Sequence, residues 1–131
     1  MATIRPGTRS VLLIVDVQVG VVAEASDVSR QIGNMALAVN KARDAGVSVV
    51  WVQHEDEDLV RGSPEWQWVP ALVPQAGDAR VYKNFNSSFE QTTLEAELSA
   101  RGVSHIVLAG AVTSWCIRAT AYAALERGYD L

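Results

Sequence analysis

An α/β class, three layers deep with a mostly parallel central sheet, is predicted by two features of this sequence. Short aliphatic runs with no polar interruption have the composition of strands buried on both faces. Four such runs alternate with three segments of helical periodicity, which is the signature of βαβ units with right-handed crossovers and helices on both faces of the sheet. Ligands of such sheets bind at the carboxyl ends of the strands, so the residues that end each run matter most.

The first run, residues 11–17, is Val-Leu-Leu-Ile-Val-Asp-Val and meets a carboxylate, Asp16. A helix is predicted over about residues 27–45, because Ile32, Met35, Ala36 and Val39 recur on one face, Ser26 or Ser29 can cap its start and Gly46 suits its end. The second strand covers 47–52 and runs into His54-Glu55-Asp56-Glu57-Asp58. Gly62, Pro64, Pro70, Pro74 and Gly77, together with Trp66 and Trp68, predict a long ordered loop up to Asp78 with at most one helical turn. A short strand over 79–82 delivers Lys83. Ser87-Ser88-Phe89-Glu90 and Thr92-Thr93-Leu94-Glu95 both have capping-box spacing and predict a helix that stops at Gly102. The run 106–110 is the fourth strand; a tight turn over 111–114 then starts a helix that carries Cys116, Thr120, Ala123 and Ala124 toward Gly128. Residues 128–131 read as the beginning of a fifth strand. No repeat, low-complexity tract or linker divides residues 1–131, which are read as one domain.

Bulk composition narrows the function classes. The chain has 131 residues, 49% apolar and 20% charged, a balance that fits one ordinary globular core. A net charge of −4 and no basic stretch leave no electrostatic reason to bind nucleic acid. The longest purely aliphatic run, 11–15, is far too short for a membrane span or a signal segment, so a cytoplasmic protein with no membrane partner is expected. The single cysteine, Cys116, cannot form an internal disulfide; it is either a small buried hydrophobe or a reactive thiol.

Asp16, Lys83 and Cys116 stand at equivalent places, each at or just beyond the end of a predicted strand, although they are 67 and 33 residues apart. A parallel sheet would gather them. A thiol attacks carbonyl carbon as thiolate, so Cys116 needs a base or a cation beside it, and a helix N-terminus adds its dipole. Asp16 can take the proton; the Lys83 ammonium can hold Asp16 ionised and limit its repulsion with the thiolate. Taken singly, each has a plainer reading: a core cysteine, a helix-capping carboxylate, a solvated lysine. Jointly those readings weaken, because a buried aliphatic strand has little structural use for Asp16 unless it is paired.

Leu13-Ile14-Val15-Asp16-Val17-Gln18, then Tyr82-Lys83 with Ser88-Phe89 and Thr92-Thr93-Leu94, then Gly110-Ala111-Val112-Thr113-Ser114-Trp115-Cys116-Ile117 with Thr120 form an ordered set of three motifs. On these motifs the chain resembles the isochorismatase-like cysteine hydrolases from Ser10 to Leu131. The resemblance implies a six-stranded, mostly parallel, Rossmann-like sheet, a domain that continues past Leu131, and hence a C-terminally truncated chain. It implies a catalytic triad of Asp16, Lys83 and Cys116 and a cis peptide before Val112. The amides of Val112 and Cys116 would form an oxyanion hole, and a C–N bond of an amide, urea or carbamoyl substrate would be cleaved through a Cys116 thioester. It further implies a homo-oligomer, a dimer or larger.

Departures from relatives narrow this expectation. Nicotinamidases of the family bind a divalent metal through an Asp-x-His and a further His after the second strand, whereas this chain has only His54 there; no metal and no cofactor are expected. The members that cleave a vinyl ether lack the cysteine. A dinucleotide is disfavoured, since Asp16-Val17-Gln18-Val19-Gly20 replaces any Gly-x-Gly-x-x-Gly. For a small-molecule substrate, the pocket wall is expected from Gln18, His54, Trp66, Phe89 and Trp115, with Val21, Gln67 and Ile117 nearby. His105 is read as structural. The competing reading is a catalytically silent oligomeric or binding protein of the same fold with a redox-sensitive Cys116.

Overall fold

The computed structural model describes residues 4–131. Strands β1 (Arg9–Val15), β2 (Ser48–His54), β3 (Ala79–Lys83) and β4 (Val103–Gly110) pair in parallel in the order β3-β2-β1-β4. Helices are α1 (Val19–Val22), α2 (Val28–Asp44), α3 (Leu94–Ala100) and α4 (Arg118–Glu126), with a π-helical turn over Thr113–Ile117 leading into α4. The register sets Val15 between Val52 and Gly110, and His54 opposite Lys83. The carboxyl ends of all four strands therefore lie side by side.

Side chains alternate across a pleated strand, and β1 shows why it is apolar throughout. Val11, Leu13 and Val15 enter a core with Val50, Val52, Val81, Leu94, Leu98, Ile106 and Ala124, beneath α3 and α4. Leu12 and Ile14 enter a second core with Val39, Ala42, Val49, Trp51 and Leu72, beneath α2. Each fully buried aliphatic side chain contributes about 1.5–3 kcal/mol, so β1, at 0–3% exposure over residues 11–15, anchors both layers.

Several sequence expectations shift. The four-residue helix α1 has no strong periodicity and escaped prediction. Neither Ser26 nor Ser29 caps α2: Asp27 holds the N-cap position in a left-handed conformation, φ 56°, and its carboxylate accepts from Arg30 instead. Gly46 does end α2, at φ 72°, where its N–H reaches the Arg43 carbonyl. The capping-box segment 87–92 is turns, because the Ser87 and Thr92 hydroxyls accept N–H groups two residues on, and helix begins only at Leu94. Loop 55–78 carries no helical turn. Asp130 pairs in parallel with His105, as a strand beginning beside β4 would.

One partly buried carboxylate ties the far half of the sheet together. Asp78 accepts both guanidinium nitrogens of Arg43 at 3.1 and 2.8 Å, the Trp51 indole N–H at 2.8 Å and the Gln75 amide at 2.9 Å. Burial raises the Asp78 carboxyl, but the Arg43, Gln75 and Trp51 donors outweigh it and hold the group below the ordinary carboxylate range. Replacing Asp78 with Ala leaves the Trp51 donor and the Arg43 cation unmatched, which should cost about 2–4 kcal/mol in urea unfolding. A depressed pKa stabilises above the unfolded value of about 4 and less as pH falls through the folded one. The gap between parent and D78A should therefore narrow below about pH 4.

Candidate active site

Asp16 follows β1 directly. Its N–H continues the ladder to the Val52 carbonyl at 2.9 Å, and its own φ of 58° turns the chain into Val17. Aspartate tolerates this left-handed conformation better than most side chains. The carboxylate is 1% exposed. Lys83, the last residue of β3 and also 1% exposed, sends its ammonium to Asp16 Oδ2 at 2.9 Å and to Cys116 Sγ at 3.3 Å. It also reaches the Phe85 carbonyl at 3.0 Å and His54 Nδ1 at 2.9 Å.

Cys116 arrives by a different device. Gly110 lies so close to β1 that a Cβ there would sit 2.0 Å from the Val15 carbonyl oxygen, and that oxygen accepts the Ala111 N–H at 2.9 Å. The Ala111–Val112 peptide is cis. The Val112 carbonyl then accepts from both Trp115 and Ile117, at 3.1 and 3.2 Å, which winds residues 113–117 into the π-turn that holds the half-buried thiol. Cys116 thus lies before α4 rather than within its first turn. Such π-turns often mark functional sites. The Thr120 hydroxyl, one turn on, accepts the Ser88 backbone N–H at 3.0 Å and bonds the Ser88 hydroxyl at 2.9 Å, and so fixes α4 against the segment that follows Lys83.

The electrostatics match a proton exchange. Burial raises the Asp16 carboxyl above its ordinary range, more than Lys83, the thiol and His54 lower it. Burial also raises the Cys116 thiol, and the Asp16 charge adds to this against the opposing effect of Lys83. The thiol therefore rests protonated beside a carboxylate of increased basicity. Asp16 Oδ1 is buried and takes no hydrogen-bond partner among the described residues, which leaves a lone pair for that proton.

A family model described as the isochorismatase domain matches residues 10–131. The chain belongs to the isochorismatase family. It is 42% identical to a maleamate amidohydrolase from Pseudomonas putida over 82 residues, 61% of this chain and 38% of that relative. The chain therefore matches well under half the length of that curated relative. The fold is similar to that of N-carbamoylsarcosine amidase from Thermoplasma acidophilum, with TM-score 0.83 and 27% identity over 93% of this chain and 79% of that one. It is also similar to a cysteine hydrolase from Pseudomonas syringae pv. phaseolicola, with TM-score 0.84 and 26% identity over 98% and 72% of the two chains.

Within this isochorismatase-family site, the side chains expected as a pocket wall divide. Trp115, 63% exposed, stands next to Cys116. Gln18 is fully buried and spends its amide on the backbone of His54 and Trp66. Phe89 packs in the core against Tyr129, and Trp66 stacks on Tyr82. His54 gives its two ring nitrogens to Lys83 and Asp56. Gln18 and His54 brace the site, whereas the Phe89 and Trp66 rings serve packing. Asn86, whose Oδ1 is 3.9 Å from the thiol, and the Phe85 carbonyl went unread, since neither carries a motif and a carbonyl carries no sequence signal. Among the described residues no three His, Cys, Asp or Glu side chains gather as a metal-ligand group.

Removing one member of the buried Asp16–Lys83 pair strands a charge. D16N and K83M should each lose about 3–5 kcal/mol, whereas the D16N/K83M double variant should recover most of that loss in the same urea titration. A raised carboxyl stabilises fully below about pH 4 and loses that contribution as pH rises through its folded value. K83M, which removes the compensating cation, should therefore lose stability more steeply than the parent between about pH 4 and 8.

Proposed function

We propose that this chain carries the reaction centre of a cysteine amidohydrolase that cleaves a C–N bond of a small amide, urea or carbamoyl compound. The observation that carries the proposal is the buried Lys83 ammonium held between the Asp16 carboxylate and the Cys116 thiol. The names of the relatives, a maleamate amidohydrolase and an N-carbamoylsarcosine amidase, support the bond type.

In this reading Asp16 takes the thiol proton and the Cys116 thiolate attacks the carbonyl carbon. The amides of Val112 and Cys116 receive the developing oxyanion, and Asp16 returns its proton to the departing ammonia or amine. Water then gives a proton to Asp16 as it attacks the thioester, and the leaving thiolate recovers that proton. Lys83 stabilises whichever of the two groups is anionic at each stage. Trp115 offers an apolar wall beside the nucleophile. The reaction is proposed as metal-independent, because the one histidine after β2 already commits both ring nitrogens to side chains.

A panel that includes maleamate, N-carbamoylsarcosine, simple amides, ureas and imides tests the proposal by ammonia release and by the mass of trapped Cys116. One substrate should turn over, with activity unchanged by EDTA. C116S should lose at least ~10³-fold in kcat and D16N ~10²–10⁴-fold. The acid limb of kcat/KM should fall above about pH 4, where a raised carboxyl titrates. No release from any compound, with C116S indistinguishable from the parent, would refute the assignment.

A further inference from the structure

The amide-hydrolase reading uses two of the side chains around Lys83 and leaves the third, His54, without a role. His54 ends β2 opposite Lys83, and its imidazole bridges two charged groups: Nδ1 lies 2.9 Å from Lys83 Nζ, and Nε2 lies 2.8 Å from Asp56 Oδ2. An ammonium only donates and a carboxylate only accepts, so one tautomer satisfies both contacts, with the proton on Nε2 and the lone pair on Nδ1. The charged groups facing the ring are Lys83, Asp16, Glu55 and Asp56.

Both ends of the bridge are held in place. Gln18 accepts the His54 N–H at 3.0 Å and donates to its carbonyl at 2.9 Å, from a fully buried position. Asp56 Oδ1 accepts the backbone N–H groups of Asp58 and Leu59 at 2.9 and 2.8 Å, which leaves Oδ2 directed at the imidazole. These donors, with His54 first among them, hold the Asp56 carboxyl below its ordinary range against burial. Asp56, although exposed, is thus fixed in orientation, as Glu55 beside it is by Arg61. Lys83 has three N–H groups for four acceptors, Asp16, His54, Phe85 and Cys116, so the ring that takes one proton decides where the others point.

We propose that His54 and Asp56 are positioning residues for Lys83: Asp56 selects the tautomer, and the Nδ1 lone pair anchors the ammonium so that it stays on Asp16 and Cys116. The inference rests on the Cys116 nucleophile reading above. With the opposite tautomer, an N–H would face the ammonium at 2.9 Å and push it from the thiol. Asp56→Asn forces that change. The Asp58 and Leu59 N–H groups keep the amide oxygen, its NH2 faces Nε2, and the imidazole proton moves to Nδ1.

The test needs no substrate. Iodoacetamide alkylation of Cys116, followed by mass spectrometry across a pH series, reports the thiolate fraction in the parent, D56N, H54F, H54N and K83M, with thermal melts to confirm folding. K83M should react about tenfold more slowly at neutral pH, the change that a one-unit rise in thiol pKa produces. D56N and H54F should slow by about the same factor, with the midpoint moved to higher pH. H54N, whose amide oxygen can stand where Nδ1 was, should return to within about twofold of the parent. Parent-like alkylation in D56N and H54F at every pH, while K83M is slow, would overturn the positioning role and leave the nucleophile reading intact. Parent-like alkylation in K83M as well would remove the nucleophile reading and this inference with it.

Discussion

The site is organised around one ammonium without contact to water. Lys83 has its side chain wholly buried, and the cost of desolvating that charge is large unless an anion and several acceptors surround it. Asp16, the Phe85 carbonyl, His54 and the Cys116 sulfur meet that demand. Each comes from a different part of the chain. The same requirement therefore closes the carboxyl end of the sheet and assembles the chemistry, and a variant that removes one acceptor disturbs both.

Strand order makes the gathering possible. With β1 between β2 and β4, Asp16 is delivered at the centre, His54 on one side and the Gly110–Val112 turn on the other. The close approach of Gly110 to Val15 sets where the π-turn begins, and the Ser88–Thr120 pair holds that turn against the Lys83 segment. Two apolar cores, one per face, keep these ends in register. In nicotinamidases of the family, the segment after the second strand is where a metal is expected. Here that segment holds a histidine bonded to a carboxylate and a lysine.

Much of this was legible before any coordinates. Val11 to Val15 announced a doubly buried strand, and a carboxylate at the end of such a strand signalled a partner. Gly46 correctly marked the end of α2. The misreadings share a cause. Ser87 and Thr92 have capping-box spacing, but their hydroxyls close turns of their own backbone. Phe89 and Gln18 lie near Lys83 and Asp16 in sequence, yet one serves the core and the other braces the loop. Asp56 stands in an acidic run, whose composition does not say which carboxylate meets the histidine.

The sequence by itself determined the class of fold, the strand-end positions of Asp16 and Lys83, and the identity of the one thiol. Those follow from local apolar patterning and from the scarcity of ionisable residues that a buried strand tolerates. Tertiary structure alone decided which acceptors share the Lys83 ammonium, that the His54 ring lies between Lys83 and Asp56, and that Cys116 sits in a π-turn. These depend on backbone carbonyls, on hydrogen-bond directions and on a glycine contact between strands 95 residues apart, Val15 and Gly110. Spacing along a chain does not encode such directions, because they arise only when distant segments compete for the same few protons.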